Sequence, residues 1–164
     1  MNAEGRTHLF GPDINTDYII SAEHKAVMDM NQMARHLMES IRPGFYDQIK
    51  RGDILVAGRN FGGGSSREAA PRVIKTAGLA GVLAPSFARI FFRNAVNIGL
   101  PVLETPIDGI RDGDILRVDF LAGRITNVTA GTDWTVKPMP AFMMGIVKAG
   151  GIVEYMRRYG SFQL

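Results

Sequence analysis

One feature constrains the fold more than any other: a unit that occurs twice in succession, made of a short apolar run, a loop, a helical stretch and a terminating glycine. In the first copy residues 53–57 (Asp-Ile-Leu-Val-Ala) read as a strand, the glycine-rich residues 58–64 as a loop, and residues 70–77 as a helix closed by Gly78. In the second copy residues 81–84 are apolar and β-like, and Ser86 can cap a helix over residues 87–98. Gly99 stops that helix, and residues 101–103 resume as strand. Two consecutive units of this kind imply parallel strands joined by right-handed crossovers, and so an α/β fold.

The flanking segments are simpler. Residues 6–20 read as strand, turn and strand, with Gly11, Pro12, Asp13 and Asn15 marking the turn and Tyr18, Ile19 and Ile20 forming the second apolar run. From residue 26 to 41 apolar side chains recur at three- and four-residue intervals, the spacing of a helix with one buried face, until Pro43 and Gly44 end it. Beyond Asp108 the pattern changes. Residues 115–120, 124–129 and 133–136, with a turn at Ala122 and Gly123, predict an antiparallel β segment. Two short helices follow, over residues 140–148 and 152–158, separated by Gly150 and Gly151. With no repeated stretch of residues and no linker, the 164 residues are expected to form a single domain, 1–164.

Composition excludes several chemistries. There is no cysteine, so disulfides, a thiol nucleophile, thiolate-bound zinc and a cysteine-ligated iron–sulfur cluster are all impossible within this chain. The three histidines, His8, His24 and His36, lack the close spacing of a metal site. The formal net charge is +3, but the basic residues are scattered, which argues against a nucleic-acid groove and suits a small anionic substrate or an acidic partner. No apolar run reaches the roughly 18 residues of a membrane span, and the N-terminus lacks the pattern of a secretory signal. The expectation is a soluble, cytoplasmic protein.

The chemistry is concentrated in Gly58-Arg-Asn-Phe-Gly-Gly-Gly-Ser-Ser-Arg-Glu68, where a strand ends and a helix begins. Ligands of open α/β sheets bind at such junctions. Three adjacent glycines allow close backbone approach, the N–H groups at a helix start attract anions, and Arg67 can hold a carboxylate through two parallel hydrogen bonds. The spacing fits neither the phosphate loop GxxxxGK[ST] nor the dinucleotide fingerprint GxGxxG. A plainer alternative is that Ser65 and Glu68 form a capping box, S-x-x-E, with Arg67 solvated. Against it, Pro71 would then lie beyond the first helical turn, so the regular helix is expected to start nearer Pro71, with residues 65–68 irregular.

Three segments together, Asp13-Ile-Asn-Thr-Asp17-Tyr-Ile-Ile20, the run from Gly52 to Glu68, and Ser86-Phe-Ala-Arg-Ile-Phe-Phe-Arg-Asn-Ala-Val-Asn-Ile-Gly-Leu-Pro101, closely resemble the small subunits of 3-isopropylmalate dehydratases, of the aconitase superfamily. The resemblance spans roughly residues 6 to 160 in the right order, which makes it far more specific than any one motif. It implies a single swivelling domain of three layers, β/β/α, with parallel core strands and an antiparallel C-terminal β segment. It further implies a large-subunit partner carrying a [4Fe-4S] cluster, no cofactor on this chain, and reversible dehydration of a substituted malate, 3-isopropylmalate first, in leucine biosynthesis. Dimethylmalate dehydratase, homoaconitase and a non-catalytic anion-binding or regulatory module are the alternatives.

The resemblance also assigns roles. Ser65 is implied as the base that removes the proton beside a carboxylate, Ser66, Arg67 and the Gly64 backbone as carboxylate-binding groups, and Asp17 as their support. His24, Lys25, Ala26 and Val27 fall in the segment that recognises the variable part of the substrate, where Ala26 and Val27 suit an apolar tail. Two positions depart from the usual loop Gly-Cys-Gly-Ser-Ser-Arg-Glu-His: Gly63 stands for the cysteine and Ala69 for the histidine.

Overall fold

The computed structural model describes residues 1–24, 29–65 and 68–161. Its chain order is β1 (Asn2–Phe10), α1 (Thr16–Ile19), a 3-10 turn (Ala22–His24), α2 (Met30–Ala34), α3 (Phe45–Gln48) and β2 (Ile54–Ala57). Then come α4 (Ala69–Thr76), β3 (Gly81–Ala84), α5 (Arg89–Ile98) and β4 (Val102–Glu104). The antiparallel strands β5 (Ile115–Asp119), β6 (Arg124–Asn127) and β7 (Thr132–Thr135) follow, and α6 (Ala141–Ala149) and α7 (Ile152–Tyr159) close the chain.

All seven strands form one sheet in the order β4-β3-β2-β1-β5-β6-β7. The sheet has two limbs that share β1. Thr7 to Phe10 pair in parallel with β2, which pairs with β3 and β3 with β4, as the two β-loop-α units predict. Asn2 to Arg6 pair antiparallel with β5, and the β5–β6–β7 meander completes that limb. The apolar runs of β2 and β3 are buried at every residue, as expected of strands covered on both faces. Helices α4 and α5 pack side by side, and Val73 and Ile74 on the one and Phe91 and Ala95 on the other are all buried.

The sheet curls strongly. Phe120, just beyond β5, lies against Gly81 of β3, so closely that a Cβ on Gly81 would sit 2.6 Å from the ring. The outermost strands also meet through side chains: Trp134 Nε1 on β7 donates to the buried Thr105 Oγ1, just past β4, at 2.8 Å. The mixed α/β architecture expected from the sequence is therefore present, with the antiparallel limb folded across toward the far edge of the parallel one.

Where β1 passes between partners, side chains satisfy its backbone. Leu9 N–H donates to Asp112 Oδ1 at 2.6 Å, and Arg42 donates to the Leu9 carbonyl at 2.6 Å while its guanidinium lies 4.2 Å from the centre of the Phe10 ring. Beside this seam the buried Asp53 accepts from His8 Nε2 (2.8 Å), Arg6 N–H (3.1 Å) and Lys50 N–H (2.9 Å). Buried polar groups are stable only when paired in this way. On the helical side Lys75 donates to the Ile98 carbonyl (2.5 Å) and the Gly150 carbonyl (3.1 Å), joining the C-terminal ends of α5 and α6. Burial holds this ammonium below the usual lysine range.

Three sequence expectations are corrected. Residues 18–20 are not a strand: Asn15 Oδ1 accepts from Asp17 N–H (2.9 Å) and Tyr18 N–H (3.1 Å), which caps a single helical turn, and Ile19 and Ile20 are both buried instead of alternating. The helix expected over residues 26–41 is regular only from Met30 to Ala34; residues 25–28 lie outside the described residues. Met38 adopts a left-handed backbone and donates its N–H to the Ile19 carbonyl at 3.0 Å, so the segment turns while still burying Met33, Leu37 and Met38. Ser86 does not cap α5, which starts at Arg89; its hydroxyl accepts from Asn60 N–H at 2.9 Å.

Candidate active site

Three loops converge at the C-terminal ends of the parallel strands, where ligands of open sheets sit. The loop after β1 and the glycine loop after β2 are laced by backbone bonds: Gly62 N–H to the Ile14 carbonyl (2.7 Å), Thr16 N–H to the Gly63 carbonyl (2.8 Å) and Asp13 N–H to the Arg59 carbonyl (2.9 Å). The loop after β3 joins them through Phe61 N–H to the Ser86 carbonyl (3.1 Å) and Ala88 N–H to the Phe61 carbonyl (2.9 Å). Beneath the glycines the buried Phe61 ring meets Phe91 edge-on, with centroids 5.1 Å apart. Gly62 lies so close to Phe91 that a Cβ there would stand 2.2 Å from the ring, which explains the glycine on packing grounds alone.

On this platform Ser65 and Gly64 are exposed beside α1. The Ser65 Oγ lies 3.5 Å from Thr16 Oγ1, and Thr16 Oγ1 donates to the Ser65 carbonyl at 3.3 Å. Asp17, one residue on, is exposed in the first turn of α1. The structure therefore brings Asp17, Gly64 and Ser65, three of the residues expected at the site, to one rim of the molecule. Thr16, buried between them, was not singled out in the sequence; its place between the cap Asn15 and Asp17 was the available signal.

The capping box does not form. Helix α4 begins at Ala69 after Glu68 with no side-chain cap, and Glu68 pairs instead with Arg72 one turn along. Pro71 then falls within the first turn, where a missing N–H is harmless. The start at Ala69, two residues before Pro71, leaves Ser65 outside the helix, as the proline suggested.

Of the recognition-segment residues, His24 is among those described. His24 stacks on His36, with centroids 4.0 Å apart and planes 9° from parallel, and its Nε2 lies 3.6 Å from Glu23 Oε1. The pair lines a small cavity of about 120 Å³ with Tyr18, Ser21 and Glu39. Ser66, Arg67, Lys25, Ala26 and Val27 lie outside the described residues. At Gly63 the nearest atom to an added Cβ would be Asn60 Nδ2 at 3.6 Å, an ordinary contact, so a Cβ there would not redirect the loop. Ala69 packs half-buried against the core. Among the described residues no group of three or more His, Asp or Glu side chains could hold a metal ion, and no helix is long and apolar enough to cross a membrane.

Comparison with known proteins agrees with this geometry. The family model described as the aconitase C-terminal domain matches residues 14–107, which hold the glycine loop, the loop after β3 and the end of the loop after β1. The 3-isopropylmalate dehydratase small subunit of Heliobacterium modesticaldum is 49% identical over 159 residues, covering 96% of each chain. The chain belongs to the aconitase-type 3-isopropylmalate dehydratase small-subunit family. Within that family, the crystal structure of 3-isopropylmalate dehydratase from Methanocaldococcus jannaschii has a TM-score of 0.94 at 39% identity, covering 98% of this chain and 96% of that one. The methanogen homoaconitase small subunit of Methanothermobacter thermautotrophicus is also similar, at 46% identity over 151 residues, 92% of this chain and 88% of its own length.

Proposed function

We propose that this chain is the small subunit of a hydro-lyase that dehydrates and rehydrates a substituted malate, 3-isopropylmalate first, a step of leucine biosynthesis, and that it works with a large subunit. The observation that carries this reading is the exposed Ser65, placed next to Thr16 and Asp17 on a rigid three-loop platform in a chain similar along its whole length to dehydratase small subunits. An exposed serine hydroxyl is a poor base. It gains strength only in a closed, dry site where N–H dipoles and a cation favour the alkoxide, which is why a second body must cover this rim.

In this reading Ser65 Oγ takes the carbon-bound proton next to a carboxylate. The charge that develops on that carboxylate is held by Arg67, Ser66 and the backbone N–H groups around Gly64, while Asp17 orients these groups. Thr16 fixes the backbone of Ser65 through its 3.3 Å hydrogen bond. The Lewis acidity that a hydroxyl leaving group needs would come from a [4Fe-4S] cluster on the large subunit, because a chain without cysteine offers none of the thiolates such a cluster takes.

The test is anaerobic reconstitution of the chain with its large subunit and cluster, followed by alkene absorbance with isopropylmalate, dimethylmalate and homocitrate in parallel. Turnover of isopropylmalate that vanishes when either chain is omitted is the expected result. Preferential turnover of homocitrate would establish the second reading, suggested by the homoaconitase relative at 46% identity. The Ser65→Ala variant should lose about 10²–10⁴-fold in kcat, the usual worth of a positioned base, with an unchanged melting temperature. Retained turnover in that variant would remove Ser65 from the mechanism.

A further inference from the structure

A second concave feature lies beside the Ser65 platform, a groove of about 610 Å³ between the start of α5, the outer strand β4 and the segment after β7. Its floor is apolar, built from Phe87, Phe92, Val102 and Met139. Its rim is basic: Arg89 and Arg93, one turn apart on α5, and Lys137 across the groove, against the single carboxylate of Glu104. All four charged residues are exposed, and none of the three cations makes an ion pair with a described residue. No ion pair among the described residues ties these cations to the fold or to the three-loop platform.

The position of the groove is as informative as its charge. Phe87 lines it and also lies in the loop that bridges to Phe61 of the glycine loop, so the groove and the Ser65 rim are adjacent at the same end of the parallel strands. Stable protein interfaces cover about 800 Å² on each partner, so a body that closes over Ser65, Gly64 and Asp17 extends beyond those three residues. The unpaired edge of β4 adds outward backbone groups along the groove, which exposed edges present to partners. Ile90, 47% exposed on the first turn of α5, enlarges the apolar surface beside the rim.

We propose that this groove is the docking site of the large subunit, which inserts an apolar ridge flanked by aspartate or glutamate side chains that pair with Arg89, Arg93 and Lys137. The inference rests on the proposed two-subunit dehydratase and names where its partner binds. In this arrangement the floor supplies affinity through buried apolar area, and the three cations supply orientation and association rate. Steering by exposed cations also makes association weaken as salt rises.

The test uses the reconstituted complex, with subunit affinity measured by titration calorimetry and kcat measured at saturating large subunit. Arg93→Glu and, on a separate element, Lys137→Glu should each raise the subunit Kd about tenfold or more, flatten its salt dependence and leave kcat at saturation unchanged. Thermal melting of each variant alone verifies that it folds, and Ser65→Ala should lose kcat while keeping the Kd. An active complex whose Kd moves less than about twofold in both charge reversals overturns the docking site and leaves the dehydratase reading intact. Reversals that alter only self-association of the small subunit also overturn it, assigning the groove to a second copy. Absence of any complex between the unmodified chains overturns both proposals.

Discussion

The parallel and antiparallel limbs of the sheet share β1 yet are built for different work. Strands β1, β2 and β3 of the parallel limb each end in a loop that touches another, so these three loops form one hydrogen-bonded platform on which Ser65 stands. The antiparallel limb has turns of two kinds: the β5–β6 turn packs Gly123 against Val136, whose N–H donates to the Gly123 carbonyl at 2.8 Å, whereas the β6–β7 hairpin has Gly131 at its tip with open space around it. Hydrogen bonding between loops joins the ends of β1, β2 and β3, and the other limb is a brace that curls over to reach β4. The glycine loop and the β6–β7 tip should therefore differ in their tolerance of the same small change.

Paired glycine substitutions are the strongest way to break that comparison. Gly62 and Gly131 both have positive φ, at 82° and 69°, so alanine at either carries the left-handed penalty of about 1–2 kcal/mol. At Gly62 the new Cβ also collides with Phe91, and overpacking of that kind adds about 1–3 kcal/mol. Gly62→Ala should thus destabilise by about 3 kcal/mol in urea unfolding and disorder the platform, with loss of turnover in the reconstituted complex. Gly131→Ala should cost about 1 kcal/mol and keep full turnover. Equal losses would show that the platform and the hairpin tip are equally adaptable.

The brace itself is tested by Trp134→Phe. That change removes the donor to Thr105 with little change in apolar area, so the expected loss is about 1 kcal/mol, the net worth of one hydrogen bond. Hydrogen exchange should rise at β4 and β7 together if the contact truly joins the edges. Faster exchange at β7 alone would show that the limbs close independently.

The same contrast explains what could be read from the sequence. The parallel limb was legible because its signals are local: apolar runs bounded by glycines gave β3 residue for residue and placed the ends of α4 and α5 to within two residues. The platform's position followed from the glycine run. Residues 13–48 were read less well because periodic burial does not require a regular helix. Met33, Leu37 and Met38 are buried as their spacing implied, but a left-handed Met38 and the Asn15 cap set the backbone path. Polar contacts far apart in sequence, such as His8 with Asp53, Leu9 with Asp112 and Trp134 with Thr105, have no local signature. His24 shows the same limit, since its stacking partner His36 lies twelve positions away across a turn.

The smallest expected effect belongs to the seam itself, where β1 changes partners and Asp112 replaces a strand as the acceptor for Leu9. Its partial burial raises the carboxyl's pKa, but the Leu9 N–H and the Arg42 guanidinium outweigh this and hold it below the ordinary carboxylate value. A depressed folded-state pKa means that the stabilisation is complete above the unfolded-state pKa and disappears as pH falls through the folded-state one. Asp112→Asn keeps an acceptor for Leu9 N–H but loses the charge, so it should be less stable than the parent at neutral pH. Solvent screening at this half-exposed site limits the difference to about 1 kcal/mol or less. The two stability curves should converge as the pH drops below the carboxylate range. A gap that persists there would mean that Asp112 acts through shape and hydrogen bonding alone, and that the junction of the limbs does not depend on its charge.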